Sequence, residues 1–201
     1  MQSVSEWAQL NFGSCRLGDK RRTGRLVRVA EEIASNPSAS LPSQIERWGD
    51  LKAAYRLFDR DEVTFEAIAK PQWELTQQRA TGRVFVIGDT TELDIVRFRN
   101  IEGVGPTGNG TGQGFLLHNA LMVNAESEEI LGIAGQTIHY RKKKRGGKRP
   151  NASKRKKKKN RESEVWGTVV DQIGTPSDNA CLLYTSDAAD DQGLVVVWGG
   201  G

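Results

Sequence analysis

Cysteine and histidine are both scarce in this chain. Cys15 and Cys181 stand far apart and form no CxxC, and His118 and His139 form no HExxH. A zinc site is therefore not expected from this inventory. Long apolar runs are missing too: no stretch reaches the roughly 18 residues that a membrane-spanning helix needs. The opening MQSVSEWAQLNFGS lacks the basic start and apolar stretch of a secretory signal. These absences lead to the expectation of a cytoplasmic chain with no membrane partner. In that compartment Asn109-Gly-Thr and Asn151-Ala-Ser would not act as glycosylation acceptors.

What remains is ordinary for a globular protein. The 201 residues are 37% hydrophobic and 27% charged, enough to bury a core in one or two domains. The net charge of +4 hides an asymmetry. Residues 141–161, RKKKRGGKRPNASKRKKKKNR, hold 14 Lys or Arg and no acid; the rest of the chain carries 15 basic against 25 acidic residues. A block this dense repels itself unless it meets a polyanion. Nucleic acid is the natural candidate, because neutralised phosphates release counterions. A solvated, non-specific segment is the equal alternative for the block taken alone.

Residues 1–80 read as helical. Asp19 is a candidate N-cap and Asn36-Pro37 a stop; between them Leu26, Val29, Ala30, Ile33 and Ala34 share one face. Arg21, Arg25 and Arg28 fall on another side, as either a solvated surface or a phosphate-contacting face. Pro42-Ser43 starts a helical turn, and Gly49-Asp50 is expected to break it. Leu51, Ala54, Leu57 and Phe58 form the next apolar stripe, with Lys52 and Arg56 four apart on a different face. Thr64 is a candidate cap for a helix reaching about Arg79, which Pro71 would kink or split.

The pattern changes at Thr81-Gly82. Arg83 to Gly88 is apolar on both alternating faces, as a central strand requires. Asp89 follows it, and residues 93–99 suit a second, shorter strand. Gly103, Gly105 and Gly108 satisfy GxGxxG literally. The dinucleotide reading fails, because a strand-like FLLHNALMVN follows where a helix is needed. Residues 115–124 and 130–140 are expected to pair as a hairpin, and Glu162 to Ile173 to form a helix.

Six segments carry a resemblance: LGDKRRTGRL (17–26), KAAYRLFD (52–59), DTTELD (89–94), GPTGNGTGQGFLLHNAL (105–121), HYRK (139–142) and RESEVW (161–166). In this order and spacing the chain resembles the transposon-five-type transposases of the insertion-sequence-four family over roughly residues 5–180. The resemblance implies an α/β chain. A helical domain over 1–75 would bind transposon ends. An incomplete ribonuclease-H-like mixed α/β domain would follow over 80–180, with a basic insertion at 141–161. It also implies cut-and-paste DNA transposition by a DDE triad of carboxylates holding two magnesium ions. Two such ions would stabilise the attacking and leaving oxygens at a phosphodiester. Asp89 matches the first Asp and is the expected catalytic and metal-binding residue. Arg21, Arg22, Arg25, Lys52, Tyr55 and Arg56 lie in matched segments and are expected DNA contacts, although Tyr55 also suits a core. Lys154, Arg155, Lys156, Lys157 and Lys158 fall in the basic insertion and are expected on the DNA backbone. His118 is expected to be packed or hydrogen-bonded rather than catalytic. The partners implied are double-stranded DNA, as transposon ends and target, and a second copy in the parent enzyme.

After Ala180 the chain departs from the family. CLLYTSDAADD (181–191) looks like a translated sequencing-library adapter, and native sequence is expected to end near Ala180. No strand is expected to lead into Asp187, Asp190 or Asp191, so none is assigned as the second Asp. With that Asp, the final Glu and the dimerisation region missing, the chain is expected to be inactive. Residues 80–201 would then be marginal alone, their hairpin keeping a bare apolar edge. Two alternatives stay open: a DNA-binding module acting without catalysis, and an unrelated basic nucleic-acid-binding protein.

Overall fold

The computed structural model describes residues 2–95, 103–108, 112–142, 162–175, 180–186 and 195–196. The chain divides into two compact units, Met1–Leu75 and Thr76–Gly201, and the boundary falls inside the fifth helix. The architecture is mixed α/β, helices first and then a mixed sheet, as the sequence pattern indicated.

The first unit holds α1 (Val4–Phe12), α2 (Lys20–Ser35), α3 (Leu41–Gln44), α4 (Trp48–Phe58) and most of α5 (Phe65–Gln78). Local signals start the helices. Ser3 and Glu6 form a capping box on α1. The Asp19 side chain accepts from the Arg21 N–H at 2.8 Å to open α2. The Thr64 hydroxyl accepts from the Ala67 N–H at 3.1 Å at the start of α5. Gly49-Asp50 is not a break but part of the first turn of α4. That turn's N–H groups have no helical partner to lose, and a carboxylate there suits the helix dipole. Likewise α5 runs through Pro71 as one helix; tertiary packing outweighs the missing backbone bond.

Two apolar clusters hold this unit. Cys15, Leu17, Leu26 and Leu57 form one, joined by Phe12, Val63, Ala67 and Ile68. Val29, Ile45, Leu51 and Ala54 form the other, joined by Leu41. Burial also pushes the Cys15 thiol pKa up. Ile33 and Phe58, expected on the apolar stripes, are exposed instead: each lies at the C-terminal end of its helix, beyond the packed stretch.

The second unit is a sheet with a helix on one face. Its strands are β1 (Gly82–Asp94), β2 (Gly105–Thr107), β3 (Gly112–Asn124), β4 (Ile130–His139), β5 (Ala180–Ser186) and β6 (Val195–Val196). They run in the order β2-β3-β1-β5-β6, with β4 also paired to β3. β1 pairs antiparallel with β3 on one side and parallel with β5 on the other. The expected hairpin is present as β3 and β4. Of the separate strand expected at 93–99, Leu93 and Asp94 belong instead to β1, which continues unbroken to Asp94, paired with Gly114. Residues 96–100 lie outside the described part.

Helix α6 (Glu162–Ile173) covers one face. Val169 and Ile173 pack there against Val84, Val86, Ala120, Met122 and Leu182. Fully burying an aliphatic side chain of this kind contributes about 1.5–3 kcal/mol. At Gly88 the approach is closest: a Cβ added there would stand 2.7 Å from Trp166 ring carbons. The same indole meets the buried His118 ring edge-on, centroids 5.2 Å apart. His118 is packed, as expected, and its Nδ1 lies 2.8 Å from Thr90 Oγ1.

Two expectations about this unit are corrected. A strand does lead toward Asp187: Ala180–Ser186 forms β5, in register from Gly82↔Ala180 to Gly88↔Ser186. The run CLLYT is apolar and strand-prone, and Leu182 is buried in the core. Asp187, Asp190 and Asp191 themselves lie outside the described residues. The β4 edge is also not bare. Gln77 Nε2 donates to the Ala134 carbonyl at 2.8 Å, and the Gln136 N–H donates to Gln172 Oε1 at 3.1 Å. The β3–β4 pairing carries register shifts as well. Glutamine side chains and bulges of this kind discourage edge-to-edge pairing.

Two outcomes follow. Gly88→Ala should destabilise the sheet unit by about 1–3 kcal/mol, the cost of overpacking, measured by denaturant unfolding. Gln172→Ala should raise concentration-dependent self-association in sedimentation velocity; an unchanged profile would mean that the edge is guarded by other means.

Candidate nucleic-acid interface

Helix geometry sorts the cationic residues of the first unit into two groups. Three α2 arginines, Arg21, Arg22 and Arg25, each meet an acidic side chain of the first unit. Arg21 is highly exposed, but its guanidinium folds back onto its own cap Asp19 at 2.9 Å. Arg22 Nη1 donates to the Leu17 carbonyl and pairs with Glu62, both at 3.0 Å. Arg25 Nη1 meets Asp50 Oδ1 at 2.5 Å, tying α2 to α4. These contacts hold the carboxyls of Asp19, Asp50 and Glu62 below the usual range, with hydrogen bonds from Arg21, Arg25 and Arg22 respectively as the leading cause.

The α4 side chains are differently placed. Trp48, Lys52, Tyr55 and Arg56 share one side of the helix at i, i+4, i+7 and i+8 spacing, and all four are exposed. Trp48 is 66% and Tyr55 49% accessible, so Tyr55 is not a core residue. Lys52 Nζ sits 5.2 Å from the Trp48 ring centroid, a cation–π contact. The opposite side of α4 carries the buried Leu51, Ala54 and Leu57. One helix therefore presents an apolar inner side and an outer side of aromatics interleaved with cations. Aromatic rings and cations in alternation suit a polyanion whose bases and sugars offer flat apolar surfaces. Trp48 was missed from sequence; its signal was the four-residue spacing to Lys52.

The remaining expected residues belong to the other part of the chain. Asp89 lies in the second unit, on β1 opposite Asn119 of β3. Its side chain is exposed, on the sheet face opposite the one that takes Gly88 and Trp166. In the adjoining row Asn119 Oδ1 accepts from Gln136 Nε2 at 2.6 Å. Among the described residues no group of three or more His, Cys, Asp or Glu is placed to hold a metal ion. Lys154, Arg155, Lys156, Lys157 and Lys158 lie outside the described residues. At the root of their block Arg141 Nη1 reaches Glu92 Oε1 at 3.4 Å, and that oxygen also accepts from the Gly108 N–H.

With this geometry in view, one comparison with known proteins is informative. Residues 4–63 match a family described as Transposase DNA-binding. The match spans α1 to α4 and includes the exposed aromatic and cationic side of α4. That stretch is similar to a transposase DNA-binding region, and DNA is the partner that it supports. No helix among the described residues is long and apolar enough to cross a membrane.

The depressed carboxyl pKa values give a pH prediction. A group with a folded pKa below its unfolded value stabilises the fold above the unfolded value. That stabilisation disappears as pH falls through the folded one. Thermal stability of the first unit should therefore drop as pH falls below about 4. In Asp50→Asn/Glu62→Gln the melting temperature should be lower at neutral pH and fall less steeply on acidification; a slope identical to wild type would remove these pairs as its cause.

Proposed function

We propose that this chain is part of a cut-and-paste DNA transposase of the transposon-five type, and that its own activity is DNA binding through the outer side of α4. The observation that carries this reading is the coincidence of the transposase DNA-binding match over 4–63 with the exposed Trp48, Lys52, Tyr55 and Arg56. Lys52 and Arg56 neutralise backbone phosphates, and Trp48 and Tyr55 pack against sugars and base edges. Transposon ends are the duplex sites read in this way, and two copies of the parent enzyme would pair two ends. The lysine-rich block adds backbone affinity without sequence readout.

The second unit is read as the beginning of a ribonuclease-H-like catalytic domain. Its strand arrangement supports this: antiparallel β1, β3 and β4, then α6, then β5 parallel to β1. Asp89 is the proposed first carboxylate of a magnesium-binding triad, on the central strand. Because its described neighbours supply no further ligand set, no cleavage step is assigned to this chain, and it is proposed to bind without cutting. The resemblance of 181–191 to an adapter is part of the same proposal, tested by resequencing the source DNA across codon 180.

A second reading is favoured by one observation, the 14 basic residues in 141–161: a non-specific nucleic-acid binder driven by that block alone. Equilibrium binding to duplex DNA separates the two. Under the transposase reading, Trp48→Ala/Tyr55→Ala should remove preference for transposon-end over random duplex. Replacing Lys154, Arg155, Lys156, Lys157 and Lys158 by glutamine should weaken both duplexes alike. It should also flatten the salt dependence by about one for each phosphate no longer neutralised. Preference untouched by the α4 substitutions would defeat the assignment. Asp89→Ala should leave binding unchanged. Magnesium-dependent strand cleavage by the wild-type chain, abolished in Asp89→Ala, would contradict the binding-only part of the proposal.

A further inference from the structure

Asp50 sits at the start of α4 among three arginines from two directions. Arg25 meets it at 2.5 Å, Arg47 at 3.8 Å and Arg28 at 3.9 Å. The three guanidiniums outnumber the single carboxylate, so the cluster keeps an excess of positive charge. The members differ in accessibility. Arg25 and Asp50 are largely sheltered, whereas the side chains of Arg28 and Arg47 are 60% and 88% exposed. Arg47 immediately precedes Trp48, and so borders the aromatic and cationic side of α4.

We infer that Asp50 is a positioning residue for DNA binding: it orients Arg28 of α2 and Arg47, the N-cap residue of α4, as a pair of phosphate-binding groups. The inference rests on the DNA-binding reading given above and adds to it a role for an acidic side chain. Arg25 serves as the strut. Its short pairing with Asp50 fixes the carboxylate between the helices, and the outer arginines are drawn to the carboxylate without being buried by it. Guanidiniums held near one point, yet open to solvent, lose little freedom when a phosphate arrives. An exposed ion pair of this kind adds little to stability. What it supplies is direction.

This role has a sign opposite to that of simple charge. Removing an acidic group from a DNA-binding surface should tighten binding if only net charge mattered. Positioning predicts the reverse. The experiment is binding of the full chain and its Asp50→Asn and Asp50→Glu variants to a transposon-end duplex, each over a series of salt concentrations. The salt slope measures how many phosphates the protein neutralises, at about 0.9 for each. For Asp50→Asn the expectation is weaker binding at low salt and a slope smaller by about one to two. Asp50→Glu, which keeps the carboxylate, should recover most of the slope. Circular dichroism on each variant separates this from unfolding, which would remove helical signal together with the preference for end over random duplex. Arg28→Gln/Arg47→Gln supplies the same reading without touching Asp50, and should reproduce the smaller slope. Tighter or equal binding by folded Asp50→Asn, or an unchanged slope in the arginine double variant, overturns the inference while a wild-type preference for end over random duplex upholds the DNA-binding reading. No binding by the wild-type chain overturns both.

Discussion

The second unit depends on a side chain that is missing. Gly88 leaves a space on β1, and the Trp166 ring fills it so closely that a methyl group there would stand 2.7 Å from ring carbons. That approach seats α6 on the sheet, and α6 in turn brings Val169 and Ile173 over Val84, Val86 and Leu182. It also closes over His118, whose polar ring would otherwise be costly to bury; Thr90 meets its Nδ1 at 2.8 Å. The neighbouring position, Asp89, points to the other face and stays exposed. Strand alternation thus puts the packing contact and the proposed catalytic carboxylate one residue apart on opposite sides of the same strand.

The first unit meets a different constraint, the placement of many like charges on a small helical body. Three cations of α2 are paired with acids: Arg22 with Glu62, Arg25 with Asp50, and Arg21 with its own cap Asp19. Two of these pairings join segments distant in sequence, while Lys52 and Arg56 of α4 stay exposed. Charge in this unit is therefore divided between holding helices together and meeting a polyanion.

The readable part of the sequence was the part governed by local chemistry. The cap at Asp19, the cap at Thr64, the hairpin and the apolar stripe of Leu51, Ala54 and Leu57 all follow from spacing and side-chain type. Other features were not legible, and each depends on partners distant in sequence. Gly49-Asp50 looked like a break because the pairing of Asp50 with Arg25, 25 residues away, is invisible in a local window. Arg22 and Arg25 looked like free cations for the same reason. The β4 edge looked bare because its glutamine caps come from α5 and α6, 57 and 36 residues away. Strand β5 was missed because its partner, the parallel β1, lies about 98 residues earlier, as the pairing of Gly82 with Ala180 shows. Trp48 could have been found from sequence, by extending the Lys52 and Arg56 face one turn toward the N-terminus.

The central claim is that a defined helical face, rather than the lysine-rich block alone, meets DNA. Ultraviolet cross-linking of the full chain to a transposon-end duplex, with mass-spectrometric mapping of the adducts, tests it most directly. The account predicts adducts at Trp48 and Tyr55, displaced by unlabelled end duplex but not by random duplex. Adducts confined to residues 141–161, displaced equally by any duplex, would contradict it.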